Sequence, residues 1–395
     1  MSKTGFNTQA VHAGERQDES GALDTPVVQS SAFAFASAAD ARARFEDPSD
    51  SLIYGRWRNP TVEAFERAMA ALEGAEEAVA TSSGMAAIEG AIATFVAPGD
   101  EVLAPLGLYA ETAKLLRERL ARFGVTTRYV DMTDLSEVDA AWTDATRLVW
   151  CETPANPVLA IYDIAALSER ARKRKALLAV DATFATPFHQ VTLAEGADLV
   201  VHSATKAIGG HGDVIGGVVC GASSLVHDVR RETIRGAGAM MAPMSAWLLA
   251  RGLRTLGLRM AQMSASAATL AARLEADPRV AWVSYPGLDS HPQHALAVRQ
   301  MRRGFGAVVA FEVEGGLDAG ARAYDNLALI TRAVSLGDVR TLATHPASTT
   351  HSSMPPEQRH AAGIRDGLFR LAVGIEDVED LWADLDQALD YSSKS

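Results

Sequence analysis

Between Glu77 and Cys220 short apolar runs alternate with helical stretches, and nothing else in the chain restricts the fold so strongly. The runs are Glu77–Thr81, Glu101–Ala104, Thr126–Val130, Arg147–Cys151, Leu177–Asp181, Asp198–His202 and Ile215–Cys220. Most are bounded by turn-forming or polar residues, and all are of strand length. Helical patterns separate them. Ser83-Gly84-Met85 opens one helix towards Val96, Leu108–Phe123 reads as another, and Asp163–Lys175 is the clearest. Strands joined through helices imply right-handed crossovers, hence an α/β fold with a mostly parallel seven-stranded sheet covered on both faces. A helix precedes the first strand: Val62, Phe65, Met69 and Leu72 recur at three and four residues, and Gly74 closes it.

The flanks read differently. Residues 1–58 lack strong periodicity but carry apolar patches such as Ser31-Ala32-Phe33-Ala34-Phe35. An arm of that length is too long for a structureless loop, so it is expected to pack on something, such as a neighbouring subunit. Near Arg251 the texture changes. Met244–Arg254 and Ala261–Ala276 are helical, strands thin out to Val280–Tyr285, Ala307–Val313 and Leu368–Val373, and a helix Val378–Tyr391 follows. The expected organisation is an arm at 1–58, a large domain at 59–250 and a smaller α+β domain at 251–395.

Composition removes several function classes. Hydrophobic residues make up 48% of the 395, enough for a large core, and the formal net charge of −12 disfavours nucleic acid as a partner. No apolar run reaches the length of a membrane span, and Met1-Ser2-Lys3-Thr4-Gly5 lacks a signal peptide's apolar segment. Cys151 and Cys220 each end an apolar run and read as reduced core residues of a cytoplasmic protein. Neither CxxC nor HExxH occurs, so no zinc signature is present.

Polar residues collect where strands end, which is where open α/β sheets hold their ligands. The run to Val201 leads into His202-Ser203-Ala204-Thr205-Lys206, then into Gly209-Gly210. A lone lysine ordinarily packs its stem and keeps its head in water. After so apolar a run it is instead partly desolvated, which lowers its pKa and makes it a nucleophile and base. Ser83-Gly84-Met85 places N–H groups and a hydroxyl at a helix start, a site for an anion, although serine and glycine are also ordinary caps. Asp181 closes a buried strand and needs a partner. Asn156 lies in a proline-stiffened loop, and Tyr109 begins a helix and can lay its ring over a flat ligand. A phosphate nest, a lysine, an acid, an amide and a stacking ring together suit pyridoxal 5'-phosphate. The lysine would form a Schiff base, and the acid would hold the pyridine nitrogen protonated.

These motifs carry a resemblance. Ser203-Ala204-Thr205-Lys206 with Ile208-Gly209-Gly210-His211, and Asp181-Ala182-Thr183-Phe184, resemble the Cys/Met-metabolism pyridoxal-phosphate enzymes, which include cystathionine γ-synthases and γ-lyases, methionine γ-lyases and homoserine sulfhydrylases. Tyr54-x-Arg56, Glu152-Thr153-Pro154-Ala155-Asn156-Pro157, Ser335-Leu336-Gly337-Asp338 and Arg370-Leu371-Ala372-Val373-Gly374 extend it along nearly the whole chain. The resemblance implies fold type I of the pyridoxal-phosphate enzymes. It makes Lys206 the Schiff-base lysine and proton shuttle, Asp181 the partner of the pyridine nitrogen, and Tyr109 the stacking residue. Ser83, Gly84, Met85, Ser203 and Thr205 would hold the phosphate, and Asn156 would sit near the cofactor hydroxyl. Arg370 would grip the substrate carboxylate with help from Ser335. Tyr54 and Arg56 would reach the phosphate of a neighbouring subunit, which implies an obligate dimer, in this family usually a homotetramer (a dimer of dimers), with shared active sites.

The sharper departures from the pattern, at Glu111 and Arg340, fall at the substrate's far end. Glu111 stands where methionine γ-lyases carry a cysteine, Arg340 where many lyases carry a glutamate, and Ala207 where an aromatic usually follows the lysine. The expected activity is γ-elimination from an amino acid, methionine γ-lyase-like in the wording of Ser335–Asp338 and His345–Ser353. Glu111 would also suit a leaving group with cationic nitrogen, as in canavanine. The alternative is γ-replacement by an O-acyl-homoserine sulfhydrylase or cystathionine γ-synthase, towards which Gly287–His294 leans. A silent binding protein on the same fold is disfavoured by intact Lys206, Asp181, Tyr109 and Arg370.

Overall fold

The seven apolar runs form one sheet in the computed structural model, which describes residues 4–15, 21–46, 51–350, 352, 354–361 and 363–392. Its strands are β1 (Glu77–Thr81), β2 (Glu101–Pro105), β3 (Thr126–Val130), β4 (Thr146–Glu152), β5 (Leu177–Asp181), β6 (Leu199–His202) and β7 (Gly217–Gly221). The spatial order is β1-β7-β6-β5-β4-β2-β3. Only β7 opposes its neighbours, pairing antiparallel with β1 and β6, so the sheet is mixed but mostly parallel, as expected.

Alternate side chains leave opposite faces of a strand, and here both faces are covered. Val200, Val218 and Cys220 pack with Phe65, Met69, Leu249 and Leu253 on one side. Val201, Val219, Leu148 and Trp150 pack with Ile88, Ile92 and Leu116 on the other. The helix Pro60–Glu73 shows how local chemistry sets an element's ends. Asn59 caps it by accepting from the N–H of Thr61 at 2.9 Å, Pro60 begins it, and Gly74 ends it at φ +67°. Phe65 is fully buried on its inner face, and truncating it to alanine would cost about 3–5 kcal/mol.

The arm is less featureless than its composition suggests. It contains the helices Phe6–His12 and Ala38–Glu46, whose short lengths leave little periodicity to read. It is tied to its own chain where Thr61 Oγ1 donates to the Pro26 carbonyl at 2.7 Å and Asn59 Nδ2 donates to that of Val28 at 2.8 Å. The helix expected over Leu108–Phe123 is irregular: an α-helical turn at Ala110–Lys114 widens to π geometry at Leu115–Arg119 and tightens at Leu120–Phe123.

The second sheet holds β8 (Val280–Ser284), β9 (Val308–Val313), β10 (Thr331–Arg332), β11 (Leu342–Thr344) and β12 (Leu368–Ala372), in the order β10-β11-β12-β9-β8. Its three longer strands match the sequence reading; β10 and β11 are too short to carry a pattern. Helices Pro243–Leu253 and Leu256–Glu275 join the two sheets in the chain. Of the stretch His345–Ser353, His351 and Ser353 lie outside the described residues. Among the described residues no helix is long and apolar enough to cross a membrane, and no group of side chains is arranged to hold a metal ion.

Candidate active site

The strand ends converge. β1 leads into Ser83, β2 into the loop before Tyr109, β4 into Glu152 and Asn156, β5 into Asp181, and β6 into Ser203, Thr205 and Lys206. All of these line one cavity of about 480 Å³ at the carboxyl edge of the sheet. The second sheet closes it: Ser335 and Leu336 come from the loop between β10 and β11, and Arg370 comes from β12.

Lys206 Nζ donates to Ser335 Oγ at 2.7 Å. Burial, with the positive charge of Arg370 adding to it, pushes the lysine down to about 8. At pH 7 about a tenth of such amines are neutral, against roughly three in ten thousand at the unshifted value, so the group is prepared to bond an aldehyde. Ser335 sits at φ +97°, unusual for a side-chain-bearing residue. Its loop is held by Val339 N donating to Gly210 O at 2.9 Å, and Gly337 packs so tightly on Ala207 that a Cβ would lie 2.4 Å from its nitrogen. The small Ala207, a departure from the family pattern, stands at that contact.

Ser83 caps the helix Gly84–Ala93 by accepting from Ala86 N at 3.2 Å. The N–H groups of Gly84 and Met85 therefore open a helix and have no partner within it. Gly84 also lies against Ser203, where a Cβ would approach the serine side chain to 2.6 Å. Thr205 Oγ1 lines the same cavity while bonded to Gly216 through both its O–H and its lone pair, each at 3.1 Å.

Asp181 and Glu152 are register partners on β5 and β4. Both are buried, and burial raises both above the usual carboxylate range. For Glu152, Asp181 beside it adds to that rise, while the Tyr109 and Asn156 N–H groups that donate to it favour its anion. Asp181 Oδ1 accepts from Thr183 N at 2.9 Å, which favours its anion. Thr183 Oγ1 in turn accepts from Ser203 N at 2.8 Å.

Arg370 is buried, and burial lowers it to about 10. It donates to Asn156 Oδ1 at 2.9 Å, to the Ser335 carbonyl at 3.0 Å and to Thr344 Oγ1 at 3.4 Å, while its Nε has no partner. A buried cation held by neutral oxygens, with its Nε–H free, is ready for an anionic ligand. Tyr109 is 40% exposed at the mouth, and its hydroxyl is raised by burial and then by Glu111.

Four expected residues lie outside this cavity. Tyr54 is 44% exposed, and Arg56, stacked 5.7 Å over its ring, donates to the Arg235 carbonyl. Glu111 is exposed at the first turn after Tyr109. Arg340 lines an adjoining cleft instead, paired with Asp338 at 3.1 Å. Glu152 was not singled out from the sequence as a site residue, although the argument that selects Asp181, a buried acid closing a strand, applies equally to it. The apolar wall of Ile88, Ile215, Val334 and Leu336 had no such signal.

The residues fit pyridoxal 5'-phosphate. The open helix start beside Ser203 suits its phosphate, Lys206 its aldehyde, Asp181 its ring nitrogen, and the unpaired Nε of Arg370 the carboxylate of an amino acid. Comparisons with known proteins agree. Residues 7–390 match the family model described as Cys/Met metabolism PLP-dependent enzyme. The chain is 46% identical to L-methionine gamma-lyase of Pseudomonas putida, over 98% of each chain. It is 45% identical to O-succinylhomoserine sulfhydrylase of Pseudomonas aeruginosa, over 97% of this chain and 95% of that one. The crystal structure of MetB from Corynebacterium glutamicum superposes with a TM-score of 0.92 at 38% identity, covering 98% of each chain. The chain thus belongs to the Cys/Met metabolism PLP-dependent enzymes.

Proposed function

We propose that this protein eliminates the γ substituent of an amino acid, as a methionine γ-lyase does, releasing a 2-oxo acid and ammonia. The observation that carries the reading is the juxtaposition of a desolvated Lys206 amine and a buried Arg370 in one cavity. Arg370 fixes the substrate carboxylate, with the Ser335 carbonyl and Asn156 holding the guanidinium in place. That orients Cα towards Lys206 Nζ. When bound, pyridoxal phosphate withdraws electrons from Cα. Lys206 Nζ takes the Cα proton, a role suited to an amine whose pKa lies near neutrality. A Cβ proton leaves next, and Lys206 or the Tyr109 hydroxyl protonates the departing γ group. The apolar wall of Ile88, Ile215, Val334 and Leu336 suits a thioether better than a charged acyl group. Asp181, accepting from Thr183 N, would pair with the ring nitrogen, and the start of the helix Gly84–Ala93 with Ser83, Ser203 and Thr205 would receive the phosphate.

Tyr54 and Arg56 complete the phosphate site of a second copy in this reading, within a homotetramer acting in the cytoplasm. The exposure of Tyr54, and the absence of both residues from the lining of their own cavity, support it. The relative named as a sulfhydrylase keeps γ-replacement as the alternative. A panel of methionine, homocysteine, canavanine and O-acyl-homoserines, each with and without sulfide, separates the two. Elimination predicts 2-oxobutyrate from methionine without added thiol. If no 2-oxo acid forms without a thiol, and a new sulfur amino acid accumulates only when the thiol is supplied, replacement is the activity. Turnover of canavanine would fit a leaving group whose cationic nitrogen lies towards Glu111.

A further inference from the structure

We propose that Glu152 is a positioning residue that fixes the spacing between the Tyr109 ring and the Asn156–Arg370 arm across the cavity. It rests on the substrate-site reading above. Glu152 is the last residue of β4 and is 4% exposed. Its Oε1 accepts from Tyr109 N at 2.9 Å, and its Oε2 accepts from Asn156 N at 3.4 Å. Asn156 Oδ1 then accepts from Arg370 Nη1 at 2.9 Å. A single carboxylate therefore joins the loop after β2 to the loop after β4, and through Asn156 it reaches β12 of the second sheet.

An acid is an expensive choice here. Glu152 leaves the sheet beside Asp181, and neither is paired with a cation in the hydrogen bonds described above. Burial and a like-charged neighbour both disfavour a carboxylate. An apolar side chain would fill the strand end without that cost. What a carboxylate provides is two acceptor oxygens a fixed distance apart, one for each N–H. Glutamine has one acceptor, and its NH2 would meet the second N–H as donor against donor. Geometry, not packing, accounts for the acid. The ring that covers the cofactor and the arginine that holds the substrate are thus set by the same side chain.

The test compares Glu152→Gln, Asn156→Ala and the double variant, assayed on the panel's fastest substrate. Thermal unfolding and equilibrium binding of pyridoxal phosphate to the apoprotein are measured in parallel. Glu152→Gln is expected to keep its unfolding midpoint and to bind the cofactor within about threefold of the parent, while KM rises about tenfold and kcat falls about tenfold. Because both variants disturb one linkage, the double variant should raise KM by less than about threefold over Glu152→Gln alone. Glu152→Asp, which keeps both acceptors but withdraws them by one methylene, should move KM and kcat in the same directions by about threefold, and it serves if the glutamine variant fails to fold. Wild-type kcat and KM, full additivity in the double variant, or losses explained wholly by unfolding or weakened cofactor binding would overturn the proposal. Arg370→Ala separates the two levels. If it leaves KM unchanged, the substrate-site reading itself fails; if it raises KM while the Glu152 variants do not, only the Glu152 proposal falls.

Discussion

Arg370 and Arg340 stand on either side of one strand-loop unit, and the molecule treats their charges in opposite ways. Arg370 is buried on β12, bonded to the neutral oxygens of Asn156, Ser335 and Thr344, with Nε unpaired. Arg340 has 64% of its side chain exposed and is neutralised by Asp338 at 3.1 Å. The first charge is desolvated and uncompensated by a carboxylate in those bonds, so an incoming anion meets it at full strength. The second has a partner and water, and a surface pair of this kind contributes little. The cavity around Arg370 is therefore built for fixed chemistry, while Arg340, in the adjoining cleft, and Glu111, outside the cavity, keep their charges in water.

That contrast can be broken from the inside outwards. Lys206→Ala should lower turnover by about a thousandfold or more while leaving the fold intact, since it removes both the bonding amine and the proton carrier. Loss of the cofactor's visible absorbance band with an unchanged circular dichroism spectrum checks it. In the parent apoprotein, the rate of cofactor loading should climb as pH rises to about 8, because the depressed lysine pKa means the neutral amine accumulates there and not near 10.5. A rate that keeps climbing well beyond pH 9 contradicts the desolvated amine.

Arg370→Ala should raise KM about a hundredfold, by deleting a buried anion site, and Arg370→Lys should recover only part, since one ammonium cannot make a bidentate contact. Steady-state kinetics decides it; equal KM values would remove the distinction between inner and outer arginines.

At the rim the effects shrink. Glu111 raises the Tyr109 hydroxyl, after burial, so Glu111→Gln should move any alkaline limb carried by Tyr109 to lower pH. Turnover of methionine at neutral pH should change by less than about twofold. A limb that stays put, in a pH–rate series, dissociates Glu111 from the tyrosine. Arg340→Ala is the smallest: less than about threefold on kcat/KM for methionine, because its charge is already paired and wet. A larger loss confined to acidic substrates would instead join the adjoining cleft to the working site.

The elements that were readable in the sequence share a cause. Most of β1 to β7 are largely apolar runs because both faces of the sheet are covered there, the edge strand β3 (Thr126–Val130) being the exception with its exposed Thr126 and Arg128, and Asn59, Pro60 and Gly74 mark the ends of one helix with residues whose backbone preferences require it. Strand ends carry polar residues for the same reason, so Ser83, Tyr109, Asn156, Asp181, Ser203, Thr205 and Lys206 could be gathered in advance, and the cavity does contain them. The two-residue β10 and three-residue β11 were not readable, since neither spans a full alternation. Yet the loop between them delivers Ser335 to Lys206.

Sequence alone determined the α/β architecture, the strand-end location of the site and, through its ordered motifs, the family, because period and strand-end chemistry are local properties. Tertiary structure decided the rest. It made Arg370 buried and Arg340 exposed, gave Glu152 its two N–H partners, and desolvated Lys206. Burial, charge compensation and reach across two sheets depend on which distant segments meet, and no window of neighbouring residues encodes that.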